Sequence, residues 1–115
     1  MGRGSQLTAP SPRRALVLTR RLVVKVGSSL ISSPGAGLDP ERIGMLAEEM
    51  AGLVSERREV ALVSSGAIAA GVARLGLKDR PRSIPEKQAA AAVGQSQLMW
   101  HYEQAFARHG IRVAQ

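Results

Sequence analysis

The 115-residue sequence has no cysteine, which excludes disulfides and thiolate metal sites and fits a reducing cytoplasm. Aromatic residues are scarce: Trp100, Tyr102 and Phe106 are the only three. The core must therefore be built from Val, Leu, Ile, Ala and Met. No apolar run approaches the ~18 residues that suggest a membrane span. The opening stretch MGRGSQLTAPSPRRALVLTR also lacks a signal-peptide core, its one apolar run being Ala15–Leu18. Acidic residues are missing from the first 21 positions, which hold five arginines, while 22–115 carry eleven basic and nine acidic residues. The net charge of +7 thus belongs mostly to a tail, not to a groove or helix face. With no interleaved aromatics and no recognition motif, a small nucleic-acid-binding protein is disfavoured.

Several chemistries lack their residues. Neither GxxxxGK[ST] nor GxGxxG occurs, which disfavours nucleotide sites of those two types. There is no nucleophile elbow and no Ser/His/Asp set. His101 and His109 stand eight apart at a helix end, with no acid spaced to share a face with His101, and read as surface residues rather than metal ligands. Glu48 and Glu49 are adjacent on a helix and point in different directions, so they make a poor catalytic pair. Met45, Met50 and Met99 read as core fillers.

What is present alternates between strand and helix. Residues 1–20 read as a basic, disordered tail, with Pro10 and Pro12 interrupting any helix. Leu22–Val26 and Val60–Val63 are nearly continuous apolar runs, the pattern of parallel strands covered on both faces. Ser32–Gly37 is a loop by composition. Asp39-Pro40-Glu41 opens a helix, with Asp as cap and Pro at the first helical position. Ile43, Leu46, Ala47, Met50, Leu53 and Val54 then recur at helical spacing. Ala67–Leu75 reads as a small-residue helix. A long helix is predicted from about Pro85 to Arg108, with Gly110 ending it and Ile111–Ala114 beginning a third strand. This order predicts an α/β fold with a parallel sheet and helices on its faces.

Two strands end in the same kind of turn: Lys25-Val26-Gly27-Ser28-Ser29 and Val63-Ser64-Ser65-Gly66-Ala67. Parallel sheets bind ligands at the carboxyl ends of their strands. Glycine admits a close anion, hydroxyls add donors, and a helix N-terminus after Gly66 would favour phosphate or carboxylate. Lys25 would place a positive charge beside it, an arrangement suited to phosphoryl transfer. A lone lysine at a strand end is usually only solvated, and a Gly-Ser pair usually only a turn. The repetition after two buried strands is what points to a site.

Three segments then carry a resemblance. Arg21–Ile31 (RLVVKVGSSLI), Val63–Gly71 (VSSGAIAAG) and Lys87–Met99 (KQAAAAVGQSQLM) resemble the signatures of the glutamate 5-kinase family, in family order and at family-like spacing. The first is shared across amino-acid kinases; the other two select this family. The match covers about 21–115, which would form the N-terminal part of an amino-acid kinase domain, an αβα sandwich. That domain is roughly twice this long in the family. The resemblance therefore implies an incomplete fold, poorly stable and inactive by itself.

For function, the resemblance implies ATP-dependent phosphorylation of L-glutamate to L-glutamyl 5-phosphate, the first step of proline biosynthesis. Lys25 would contact ATP phosphates and stabilise the transferring group. Gly27 and Ser28 would present backbone N–H groups to the phosphates. Ser65 would bind glutamate, with Gly66 and Ala67 around it. Magnesium would arrive with ATP, without an assigned protein ligand, and the enzyme would be a cytoplasmic homo-oligomer. Two other readings stand beside this one: a non-catalytic remnant or assembly fragment, and the kinase half of a bifunctional proline-synthesis enzyme.

Overall fold

A computed structural model describes residue 9 and residues 11–115. The elements in chain order are α1 (Pro12–Leu18), β1 (Arg21–Val26), α2 (Ser28–Ile31), β2 (Ser32–Ser33), β3 (Gly37–Leu38), α3 (Pro40–Ser55), β4 (Glu59–Ser64), α4 (Ala67–Leu75) and α5 (Ile84–Ala107). No helix among the described residues is long and apolar enough to cross a membrane.

Strands β1 and β4 pair in parallel, from Arg21↔Glu59 to Val26↔Ser64. Side chains alternate across a strand. Leu22, Val24 and Val26 therefore share one face with Val60 and Leu62. That face meets α3 and α5 in a core of Val26, Ile43, Met50, Leu98, Tyr102 and Phe106. The expected parallel sheet flanked by helices is thus present. On its other face Val23 is 69% and Val63 49% exposed. The apolar continuity of the strands marks both faces as suited to burial, and the described helices α3 and α5 occupy one.

Helix α3 starts where its cap residues place it. The Asp39 carboxylate accepts from the backbone N–H groups of Glu41 at 3.0 Å and Arg42 at 3.3 Å, with Pro40 at the first helical position. Its buried stripe is Ile43, Ala47 and Met50. Met45 is 60% exposed, so of the expected methionine fillers Met50 fits and Met45 does not: two positions after Ile43 is off the buried face. Asp39→Ala should lower stability by about 1 kcal/mol, because two first-turn N–H groups lose their acceptor. A urea midpoint at or above that of the parent would overturn this.

Helix α5 opens with a reciprocal cap. Ser83 accepts from the Glu86 N–H at 3.3 Å, and Glu86 accepts from the Ser83 N–H at 3.2 Å. Hydrogen bonds from the Ser83 backbone, then its side chain, then the Arg82 backbone hold the Glu86 carboxyl below its ordinary value. A lowered carboxyl stabilises the fold above its unfolded pKa and loses that contribution as pH falls through the folded one, so the cap is formed at neutral pH. Helices α4 and α5 cross on small residues: Ala70, Gly71, Ala90 and Gly94 are all buried.

Three expectations are corrected. Within the supposed tail, residues 1–8 and 10 lie outside the described residues, but Pro12–Leu18 is helical. Proline is disruptive inside a helix, whereas Pro12 sits in the first turn, where its missing N–H costs nothing. The Ser11 hydroxyl caps this helix, accepting from the Arg14 N–H at 3.4 Å. At the other end the Arg58 guanidinium donates to the Leu16 and Val17 carbonyls at 3.1 and 2.7 Å. The supposed loop Ser32–Gly37 contains a two-residue antiparallel pairing, Ser32↔Leu38 and Ser33↔Gly37. The supposed third strand at 111–114 has no strand ladder. Ile111 and Val113 instead pack on the core as single side chains. Extended backbone becomes a strand only where a neighbour accepts its hydrogen bonds.

Candidate functional site

The parallel register brings the two predicted turns to one sheet edge. Val26 and Ser64 are partners, and the next residue continues the contact: the Ser65 N–H donates to the Val26 carbonyl at 3.0 Å. The Ser65 hydroxyl donates to the same carbonyl at 3.3 Å. Its proton is thereby engaged, and its lone pairs are left to accept from a ligand cation. Lys25 is exposed, on the same face as its partner Val63. It makes no ion pair among the described residues, whose ion pairs join Arg21–Glu59, Arg42–Asp39 and Arg58–Glu56.

Beyond the strands the turns diverge. Gly27 is exposed and caps the short helix α2, and a Cβ placed there would meet no atom within 4 Å. Ser28 is half-buried, and its carbonyl accepts from the Ser32 hydroxyl at 2.7 Å. Gly66 is buried with φ at +122°, a conformation that favours glycine, and it starts α4 without a side-chain cap. The first N–H groups of α4, beginning with Ala67, therefore lack a capping side chain. The six predicted residues Lys25, Gly27, Ser28, Ser65, Gly66 and Ala67 all lie at this edge.

A groove of about 830 Å³ runs beside the turns, with Ser28, Ser29 and Arg42 on one wall and Ile68 and Ala69 on the other. Lys78 and Arg80 contribute positive charge to it. An apolar groove of about 540 Å³ lies elsewhere, between β4, α5 and the segment 111–115. Met50, Val60, Leu62, Leu98 and Phe106 make most of its surface apolar, and Ser64 and Tyr102 are among its polar lining.

The edge suits an anion: a glycine with open space, helix-start N–H groups without a side-chain cap, and a lysine without an ion pair. These features fit the phosphates of a nucleotide and a carboxylate acceptor. No cluster of metal-ligating side chains occurs among the described residues.

Sequence reasoning missed Tyr102, whose hydroxyl lies 2.7 Å from the Ser64 hydroxyl. Its spacing from Leu98, one helical turn earlier, places it on the buried face of α5; its polar partner is not visible from spacing.

Residues 20–115 match the sequence profile of the amino acid kinase family. The chain is 57% identical over 103 residues to the glutamate 5-kinase of Burkholderia thailandensis, covering 90% of this chain and 28% of that relative. Glutamate 5-kinases of Burkholderia mallei and Burkholderia pseudomallei are 56% identical over the same length, again 90% of this chain and 28% of theirs. The chain thus spans 28% of the length of these relatives. The profile match covers both strand-end turns and the parallel pair that joins them, and on it the chain belongs to the amino acid kinase family.

Proposed function

We infer that the chain serves ATP-dependent phosphorylation of the γ-carboxylate of L-glutamate, giving L-glutamyl 5-phosphate at the head of proline biosynthesis. The observation that carries this reading is the pairing of two anion-suited turns on one sheet edge, in a chain 57% identical to a glutamate 5-kinase. In this reaction a carboxylate oxygen forms a bond to the γ-phosphorus, the bond to the bridging oxygen breaks, and ADP leaves. ATP, with magnesium on its phosphates, supplies the phosphoryl group.

The chain's own part is positioning and charge balance. Lys25 lies beside the phosphates and offsets charge on the transferring group. Gly27 and Ser28 offer N–H groups to the phosphates. The Ser65 hydroxyl accepts from the glutamate ammonium, and Gly66 and Ala67 line the same substrate. A cytoplasmic homo-oligomer belongs to the same proposal.

The test is a chimera in which residues 20–115 replace the matching stretch of the Burkholderia thailandensis enzyme. Glutamate-dependent ADP release is expected. A folded chimera without it would refute the reading. In that chimera Ser65→Ala should raise the glutamate KM about tenfold with kcat nearly unchanged, the pattern of a lost binding contact.

A further inference from the structure

A hydrogen-bonded chain runs from α5 into the turn after β4. The Tyr102 hydroxyl lies 2.7 Å from the Ser64 Oγ, and the Ser64 Oγ donates to the Ser65 carbonyl at 2.8 Å. A serine hydroxyl has one proton. With that proton on the Ser65 carbonyl, Tyr102 is the donor to Ser64. Tyr102 is 4% exposed and its ring lies 6.4 Å from that of Phe106, so the core holds its hydroxyl in place. Burial pushes its pKa up, against a smaller opposing effect of the Ser64 hydrogen bond, and it stays protonated at neutral pH.

The final acceptor is the Ser65–Gly66 peptide, and no cis peptide occurs among the described residues. In a trans peptide the C=O and N–H point in opposite directions. Holding the carbonyl toward Ser64 therefore turns the Gly66 N–H the other way. Rotating this peptide by half a turn would bring Gly66 from its +122° to a φ of about −60°, open to any residue. Gly66 is buried, and its N–H donates to no group among the described residues. The Ser64 hydrogen bond favours the observed orientation, which leaves the Gly66 N–H without a protein acceptor among the described residues.

We propose that Tyr102, acting through Ser64, is a positioning residue that locks the Ser65–Gly66 peptide with the Gly66 N–H available to the acidic substrate. The proposal rests on the reading of Ser65–Ala67 as the substrate turn. Its signature is a hydroxyl, not a ring, so Tyr102→Phe is the decisive variant and Ser64→Ala its partner. In the 115-residue chain, the coupling between the amide and α protons of Gly66 reports φ, and each variant should shift it. In the chimera, each should raise the glutamate KM by about three- to tenfold, as loss of one hydrogen-bonded link does, with a smaller change in kcat. The double variant should be no worse than either single one, because both break the same chain. An unchanged Gly66 coupling in Tyr102→Phe, or effects that multiply in the double variant, would overturn the proposal. If the parent chimera releases no glutamate-dependent ADP, the proposed function falls, while the Gly66 coupling still tests the peptide lock.

Discussion

Replacing Gly94 with alanine should destabilise the chain by about 3 kcal/mol or more, the upper range for overpacking. Helices α4 and α5 meet with almost no side chain between them. A Cβ on Gly94 would lie 2.5 Å from the Gly71 nitrogen and 2.8 Å from the Ala67 carbonyl carbon, and closer still to the Ala67 oxygen. The contact is reciprocal: a Cβ on Gly71 would lie 2.5 Å from the Ala90 carbonyl carbon and 2.9 Å from its Cα. All of these are backbone atoms, so no rotamer change relieves the clash. The helices must separate, and separation opens the packing along their whole crossing. With stabilities of about 5–15 kcal/mol typical, the loss is a large share of the total.

Gly52 supplies the control. It is exposed in α3, and a Cβ there meets nothing within 4 Å. Gly52→Ala should therefore raise stability by about 0.5–1 kcal/mol through helix propensity alone. Urea midpoints of the two variants should move in opposite directions. A Gly94→Ala midpoint equal to the parent's would sink the close-crossing account. The same contact matters for the site, because Ala67, which Gly94 touches, is the first residue of α4 and follows Gly66 directly.

Lys25→Ala carries the second large effect. In the chimera it should lower kcat by about 10²–10³-fold, the range for losing one preorganised group that stabilises transition-state charge. Its thermal midpoint should hardly move, because Lys25 is exposed and makes no ion pair among the described residues. That separation is the diagnostic: a catalytic loss without a folding loss. Lys25→Arg should not restore the rate, since a planar guanidinium differs from a compact ammonium in reach and shape. A kcat close to the parent's in Lys25→Ala would remove Lys25 from the phosphoryl-transfer machinery.

Much of this was legible in the residues, and the legible parts are local. Asp39 and Pro40 start α3 because a cap acts within one turn. The runs at 22–26 and 60–63 become strands, and the long helix begins at Ile84, one residue before the predicted start. The glycines and serines after both strands are visible as turns without knowledge of the sheet. Local rules also misled where position changes their meaning. Pro12 breaks a helix from inside but starts one from the first turn. The hairpin at Ser32–Leu38 has strands of two residues, too short to show any period.

The sequence by itself determined β1, β4, α3, α4 and α5, the Asp39 cap, and the two turns with the residue types that suit an anion. Tertiary structure alone decided which distant groups meet. It set Val26 beside Ser64, brought the Tyr102 hydroxyl to Ser64 across 38 positions, and pressed Gly71 against Ala90. It also left 111–115 without a ladder. The physical reason is range: propensity, capping and turn chemistry act between near neighbours along the chain, whereas pairing, burial and close approach depend on which surfaces the packed elements present to one another.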